Sequence, residues 1–124
     1  MKDMGNLVAI MLQTASILRL HHWHPTEPGK PGSNAEHEAL GEMYEYLNDK
    51  VDIIVESYQG EYGLIDVNIP KVTREIAAIK AVDIMCEILE TACKSDNYPA
   101  WIINELQEIQ VQMYKGKYKL VNLK

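Results

Sequence analysis

The stretch Gly60-Glu61-Tyr62-Gly63-Leu64-Ile65-Asp66-Val67-Asn68-Ile69 decides how the chain folds. It mixes glycines with β-forming residues and is too long for a tight helix hairpin. Helix-period segments flank it on both sides. The segment before it is ~35–40 Å long at ~1.5 Å rise per residue, and about ten to twelve extended residues reach the same distance. The connection therefore has just enough chain to run the length of a bundle and start the third segment parallel to the second. A loose loop in an up-down-up-down bundle is the alternative.

Working outward, segment A runs from about Asn6 to His22, with Leu7, Met11, Thr14, Leu18 and His22 on one stripe. Pro25, Pro28, Gly29, Pro31 and Gly32 then forbid helix. Segment B opens with the capping-box pattern Ser33-Asn34-Ala35-Glu36 and ends at about Gln59, with Gly60 as its stop. Its inner stripe is Leu40, Met43, Leu47 and Ile54. Segment C is expected from Pro70 to about Lys94, with Val72, Ile76, Ile79, Cys86, Leu89 and Cys93 at helical spacing. Segment D starts near Pro99, turns Ile102, Leu106, Ile109 and Met113 inward, and frays around Gly116. No repeat or domain boundary interrupts residues 1–124. The expectation is all-α: one ferritin-like four-helix domain with a single long B–C crossover.

Composition supports a folded domain. Hydrophobic residues make up 47% and charged residues 24% of the 124, close to the globular average. The net charge of -6 argues against the dense positive surface that nonspecific nucleic-acid binding requires. The lysines at 115, 117, 119 and 124 read as a solvated terminus. Cys86 and Cys93, on one helix, are ~10 Å apart along its axis, too far for a disulfide, and read as core thiols of a reducing compartment. No apolar stretch is long enough for a membrane span and no signal peptide is visible, so a cytoplasmic protein is expected.

All four histidines fall between His21 and His37. A hairpin of A and B brings His22 close to His37. Asp52 and Glu56 are spaced i, i+4, which puts two carboxylates on one helix face, able to hold a cation between them. Imidazole with carboxylate suits iron, zinc or manganese. His37 and Asp52 face within ~60° of each other, yet the helix rise separates them by ~22 Å. One chain cannot join them, so a second copy with B antiparallel to B must complete the site. Taken singly, these residues read more simply as surface; the set carries the reading. His21 and His24 are expected to be exposed. Asp83 interrupts the stripe of C and needs a tyrosine, Arg19, or an outward turn. Tyr44, one turn from the face of His37, and Trp23, next to His22, read either as oxidisable neighbours of an iron site or as plain packing residues.

The composite His22-Trp23, a loop, then His37-Glu38-x5-Tyr44-x7-Asp52-x3-Glu56 resembles the Dps (mini-ferritin) family of the ferritin-like superfamily, over about half the chain. The resemblance implies that His22, His37, Asp52 and Glu56 are iron ligands and that Fe(II) is oxidised by peroxide or dioxygen for storage or oxidative protection. It implies sites at a two-fold dimer interface, with Trp23 beside them, and cage assembly beyond the dimer. The sequence departs from the family in four ways. Gly41 stands where the family has an acid one turn after the second histidine, which puts a second iron in doubt. The loop from His22 to His37 is longer, the B–C connection is too short for the family's extra small helix, and no basic tail precedes segment A.

Three functions compete. The first is a ferroxidase-like iron protein acting as a homodimer or larger assembly. The second is a non-catalytic dimeric bundle with a structural zinc or no metal, for which Gly41 speaks. The third, a metal-dependent hydrolase, has Glu38 as a candidate base but no substrate pocket legible in the sequence.

Overall fold

Four helices make up most of the computed structural model, which describes residues 4–24 and 33–123: α1 (Met4–Trp23), α2 (Asn34–Tyr62), α3 (Ala78–Lys94) and α4 (Ala100–Asn122). The expected loop at Pro25, Pro28, Gly29, Pro31 and Gly32 lies outside the described residues. α1 packs on α2 and α3, and α4 packs on the same two, while among the described residues α2 and α3 sit diagonally, their backbones farther apart. Side-chain contacts fix the directions. His22 at the end of α1 meets His37 at the start of α2. Lys119 near the end of α4 pairs with Glu42 of α2, and Lys117 with Asp83 near the start of α3. Every neighbouring pair is antiparallel, so α2 and α3 are parallel and one crossover joins them. The fold is an all-α four-helix bundle.

The crossover is longer than the sequence predicts. α3 starts at Ala78, not Pro70, so Val72 and Ile76 belong to the connection rather than to a helix face. The length of α2 explains this. It continues past Gly60 to Tyr62 and is capped by Gly63 at φ 99. Its 29 residues span about 43 Å at ~1.5 Å each. Ten extended residues reach at most ~36 Å, whereas the chain between Tyr62 and Ala78 covers the distance with slack.

The crossover lies along α1. It passes Gly5 at the Asp66 carbonyl, accepts a hydrogen bond at Lys71 O from Gln13 Nε2 (2.9 Å), and meets His21 Nε2 at Ile76 O (2.7 Å). With α2 and α3 on its other sides, α1 is covered nearly all round. Val8, Ala9 and Ile17 are therefore buried along with Leu7, Met11, Thr14 and Leu18. A helix apolar on most faces is a buried one, and the single-stripe reading of segment A misses that second set.

The other helices follow their predicted stripes. Leu40, Met43, Leu47 and Ile54 of α2 meet Cys86 and Leu89 of α3 and Ile102, Leu106, Ile109 and Met113 of α4 in one core. Each large side chain buried there contributes roughly 1.5–3 kcal/mol. Ser33 Oγ accepts from the Glu36 N–H (3.3 Å), half of the expected capping box. α4 does not fray at Gly116. A Cβ there would overlap the Met43 side chain, so the glycine lets α4 close on α2, and the helix runs on to Asn122. This continuation corrects the reading of a solvated tail for two of the lysines, Lys117 and Lys119; Lys115 is exposed, and Lys124 lies outside the described residues. Lys117 pairs with Asp83 at 2.7 Å and Lys119 with Glu42 at 3.1 Å, so Asp83 is satisfied by Lys117 rather than by Arg19. Lys50 reaches from α2 to both Glu105 and Glu108 of α4, and those hydrogen bonds hold its pKa above the usual lysine value.

Both cysteines are free thiols. Burial, opposed in part by a hydrogen bond with Tyr114, pushes Cys86 up to about 11. No helix among the described residues is long and apolar enough to cross a membrane.

Candidate metal centre

The last turn of α1 and the first turns of α2 meet at the end of the bundle where α3 begins. His22 lies on the inner stripe of α1 one turn beyond Leu18, where the core opens to solvent. His37 sits at the start of α2, where its N–H bonds the Ser33 carbonyl (3.0 Å). The helix hairpin brings the two rings face to face, with centroids 3.8 Å apart and planes 16° apart.

The bonding of the pair is reciprocal. His22 Nδ1 donates to the backbone carbonyl of His37 at 2.7 Å, and His37 Nδ1 donates to the carbonyl of His22 at 2.8 Å. A carbonyl only accepts, so both Nδ1 atoms carry a proton. In the neutral rings each Nε2 keeps its lone pair. This is how metal-binding histidines are held: one nitrogen anchored to an oxygen, the other presented to the ion. The lone pairs lie in the ring planes. Planes this close to parallel cannot direct both lone pairs at one ion, so each imidazole is a separate single donor.

Further groups brace the rings. Tyr44 meets His22 edge-on with centroids 5.3 Å apart, and the Arg19 guanidinium lies over the ring of that tyrosine, 4.9 Å from its centroid. His21 is not exposed as expected; it is half-buried because its ring is bonded to the crossover at Ile76. Burial raises the Glu36 carboxyl above its usual pKa, and nearby His21 offsets part of the rise. His24 is exposed, and its carbonyl accepts from Arg74 at 2.8 Å. Trp23 is 60% exposed and makes no part of the ring stack.

Asp52 and Glu56 lie on the solvent-facing side of α2, exposed and with no ion-pair partner among the described residues. α2 is unbroken from His37 to Glu56, so His37 and Asp52 stand ~22 Å apart along it. Within one chain the structure joins His22 to His37 and leaves the two acids at a distance. Among the described residues no group of three or more His, Cys, Asp or Glu is placed to hold a metal.

Two features escaped the sequence reading. The acids belong to a longer exposed series, Glu38, Glu42, Glu45, Asp49, Asp52 and Glu56, at alternating steps of four and three. That signal was present in the sequence, and reading only the last pair missed it. The other feature is Gly41. A Cβ at this position would come within 2.9 Å of Cε1 and 3.2 Å of Nδ1 of His22. The position of the missing acid is occupied by the imidazole itself. Only the packing of α1 on α2 reveals it.

Residues 31–120 match the model of a family of unknown function (DUF5856). No curated protein and no solved structure matches the chain.

Proposed function

The chain belongs to this family of unknown function, and we propose that it binds iron and oxidises Fe(II) to Fe(III) at sites shared across a two-fold dimer interface, for iron sequestration or oxidative protection. The observation that carries the reading is the reciprocal pair of His22 and His37, whose anchored Nδ1 atoms leave both Nε2 atoms as metal donors. The proposed assembly sets α2 against α2 of a second copy, antiparallel, so that the partner's Asp52 and Glu56 approach this histidine pair. Imidazole nitrogen with carboxylate oxygen is a donor set for Fe(II), and the anionic oxygens favour the Fe(III) product. The resemblance to mini-ferritins supports the same four ligands and the same division between two chains.

Aerobic addition of Fe(II) tests this. Ferric absorbance should rise and saturate at a fixed iron-to-chain ratio, and His37→Ala and Asp52→Ala should each abolish the saturable phase. Oxidation no faster than in buffer would remove the enzymatic claim.

A second reading is a non-catalytic dimeric bundle holding a structural zinc or no metal. It is favoured by Gly41, which leaves position 41 without the acid that the resemblance to mini-ferritins calls for. Metal analysis of the purified protein separates the two: tightly held zinc that Fe(II) does not displace supports the second reading.

A further inference from the structure

We infer that Gly41 is the positioning residue of the histidine pair: its missing side chain is the seat on which the His22 ring rests, and a larger residue there displaces the ring and weakens the ring-to-carbonyl bonds. The His22 ring has Gly41 on one side, His37 stacked at 3.8 Å, and Tyr44 at its edge. A methyl group at position 41 meets Cε1 at 2.9 Å, inside any tolerated contact, so the ring must move. The move cannot be free. Nδ1 is the next atom a methyl approaches, at 3.2 Å, and it is the atom bonded to the His37 carbonyl at 2.7 Å. Displacing it lengthens that bond and spoils the stack, and the stack holds the His37 ring where its own Nδ1 reaches the His22 carbonyl. With its anchor gone, an imidazole redistributes its proton between the two nitrogens and no longer holds the Nε2 lone pair ready.

In this packing of α1 on α2, a side chain at position 41 and the His22 ring as placed compete for the same space. This chain trades a possible acid ligand for two fixed imidazoles. The ring geometry stands on the apo protein alone; its consequence for metal affinity rests on the iron-binding reading above.

Two measurements on Gly41→Ala test the inference. In the metal-free protein, nitrogen-detected NMR of the imidazoles should show His22 and His37 of the wild type as single Nδ1–H tautomers. In the variant both should become tautomer mixtures, and Co(II), used as a spectroscopic probe, should bind about tenfold to a hundredfold more weakly, the usual cost of losing an outer hydrogen bond to a metal-binding histidine. Gly116→Ala, which crowds Met43 instead, should lower the unfolding temperature and leave both tautomers unchanged. In case Gly41→Ala is too unstable for NMR, the substitution is also made in a His22→Ala background, where its destabilising effect should vanish because the clashing ring is gone. Unchanged tautomers in Gly41→Ala, or an equal loss of unfolding temperature in both backgrounds, overturns the inference. A wild type that binds no Co(II) but whose tautomers scramble on Gly41→Ala upholds the role of Gly41 and sinks the metal reading.

Discussion

At the residue scale, the polar groups with the clearest physical consequences sit where helices meet. Burial holds the Cys86 thiol protonated up to about 11, against an ordinary value of 9.0. The folded state therefore resists ionisation that the unfolded chain allows. The stability is fully present below about pH 9 and declines as pH rises toward about 11. Urea titrations across that range should show a steeper alkaline loss in wild type than in Cys86→Ala; equal slopes would contradict the burial argument. The same burial makes Cys86 slow toward a thiol reagent at pH 8. Asp83 and Lys117 are a different case. Both are about a third exposed, so solvent screens the pair, and Asp83→Asn should cost less than about 1 kcal/mol.

At this scale the sequence was only partly legible. It placed His22 and His37 together from chain connectivity, because a hairpin of two helices leaves no other arrangement. It did not reveal how the rings bond, since reciprocal donation to backbone carbonyls depends on atomic positions rather than residue types. It read Gly41 only as a missing acid and did not show its place beneath the His22 ring, because that ring comes from another helix. Lys117 was missed for a simpler reason: a glycine at 116 reads as a helix end, and only close packing against Met43 gives it another purpose.

At the element scale, α2 carries a row of like charges. Glu38, Glu42, Glu45, Asp49, Asp52 and Glu56 share its solvent face, and only Glu42 among them has an ion-pair partner in the described residues. Like charges three and four positions apart each cost a few tenths of a kcal/mol. In a chelator and at low salt, Asp49→Lys should raise the unfolding temperature by relieving the charges of Glu45 and Asp52, and added salt should shrink the gain. An unchanged midpoint would mean that the stripe carries no net repulsion. Gly60 offers an uncharged comparison. It lies inside α2 with nothing near a substituted Cβ, so Gly60→Ala should stabilise the helix by about 0.5–1 kcal/mol.

The stripes of α2 and α4 were readable because each helix buries one face. That of α1 was not, because a crossover laid over it buries the opposite face as well. The end of α2 and the start of α3 were misplaced by the same cause. A glycine and a proline mark where helix can stop or start, but the span that the crossover must cover decides where it does.

At the scale of the whole molecule, the parallel course of α2 and α3 was legible from chain length alone, since only a connection as long as the bundle allows it. The site is a different matter. One chain presents two anchored imidazoles at one end of α2 and two carboxylates, without an ion-pair partner among the described residues, ~22 and ~28 Å along it, and a second copy must bring them together if they act as one centre. Subunit mixing tests this directly. A chain carrying His22→Ala and His37→Ala is unfolded and refolded with one carrying Asp52→Ala and Glu56→Ala. Each variant alone should bind no Co(II). In the mixed dimer all four substitutions fall in one site and the other is intact, so random pairing should restore about a quarter of the wild-type sites. A mixture that binds no more Co(II) than its separate components would contradict the shared site.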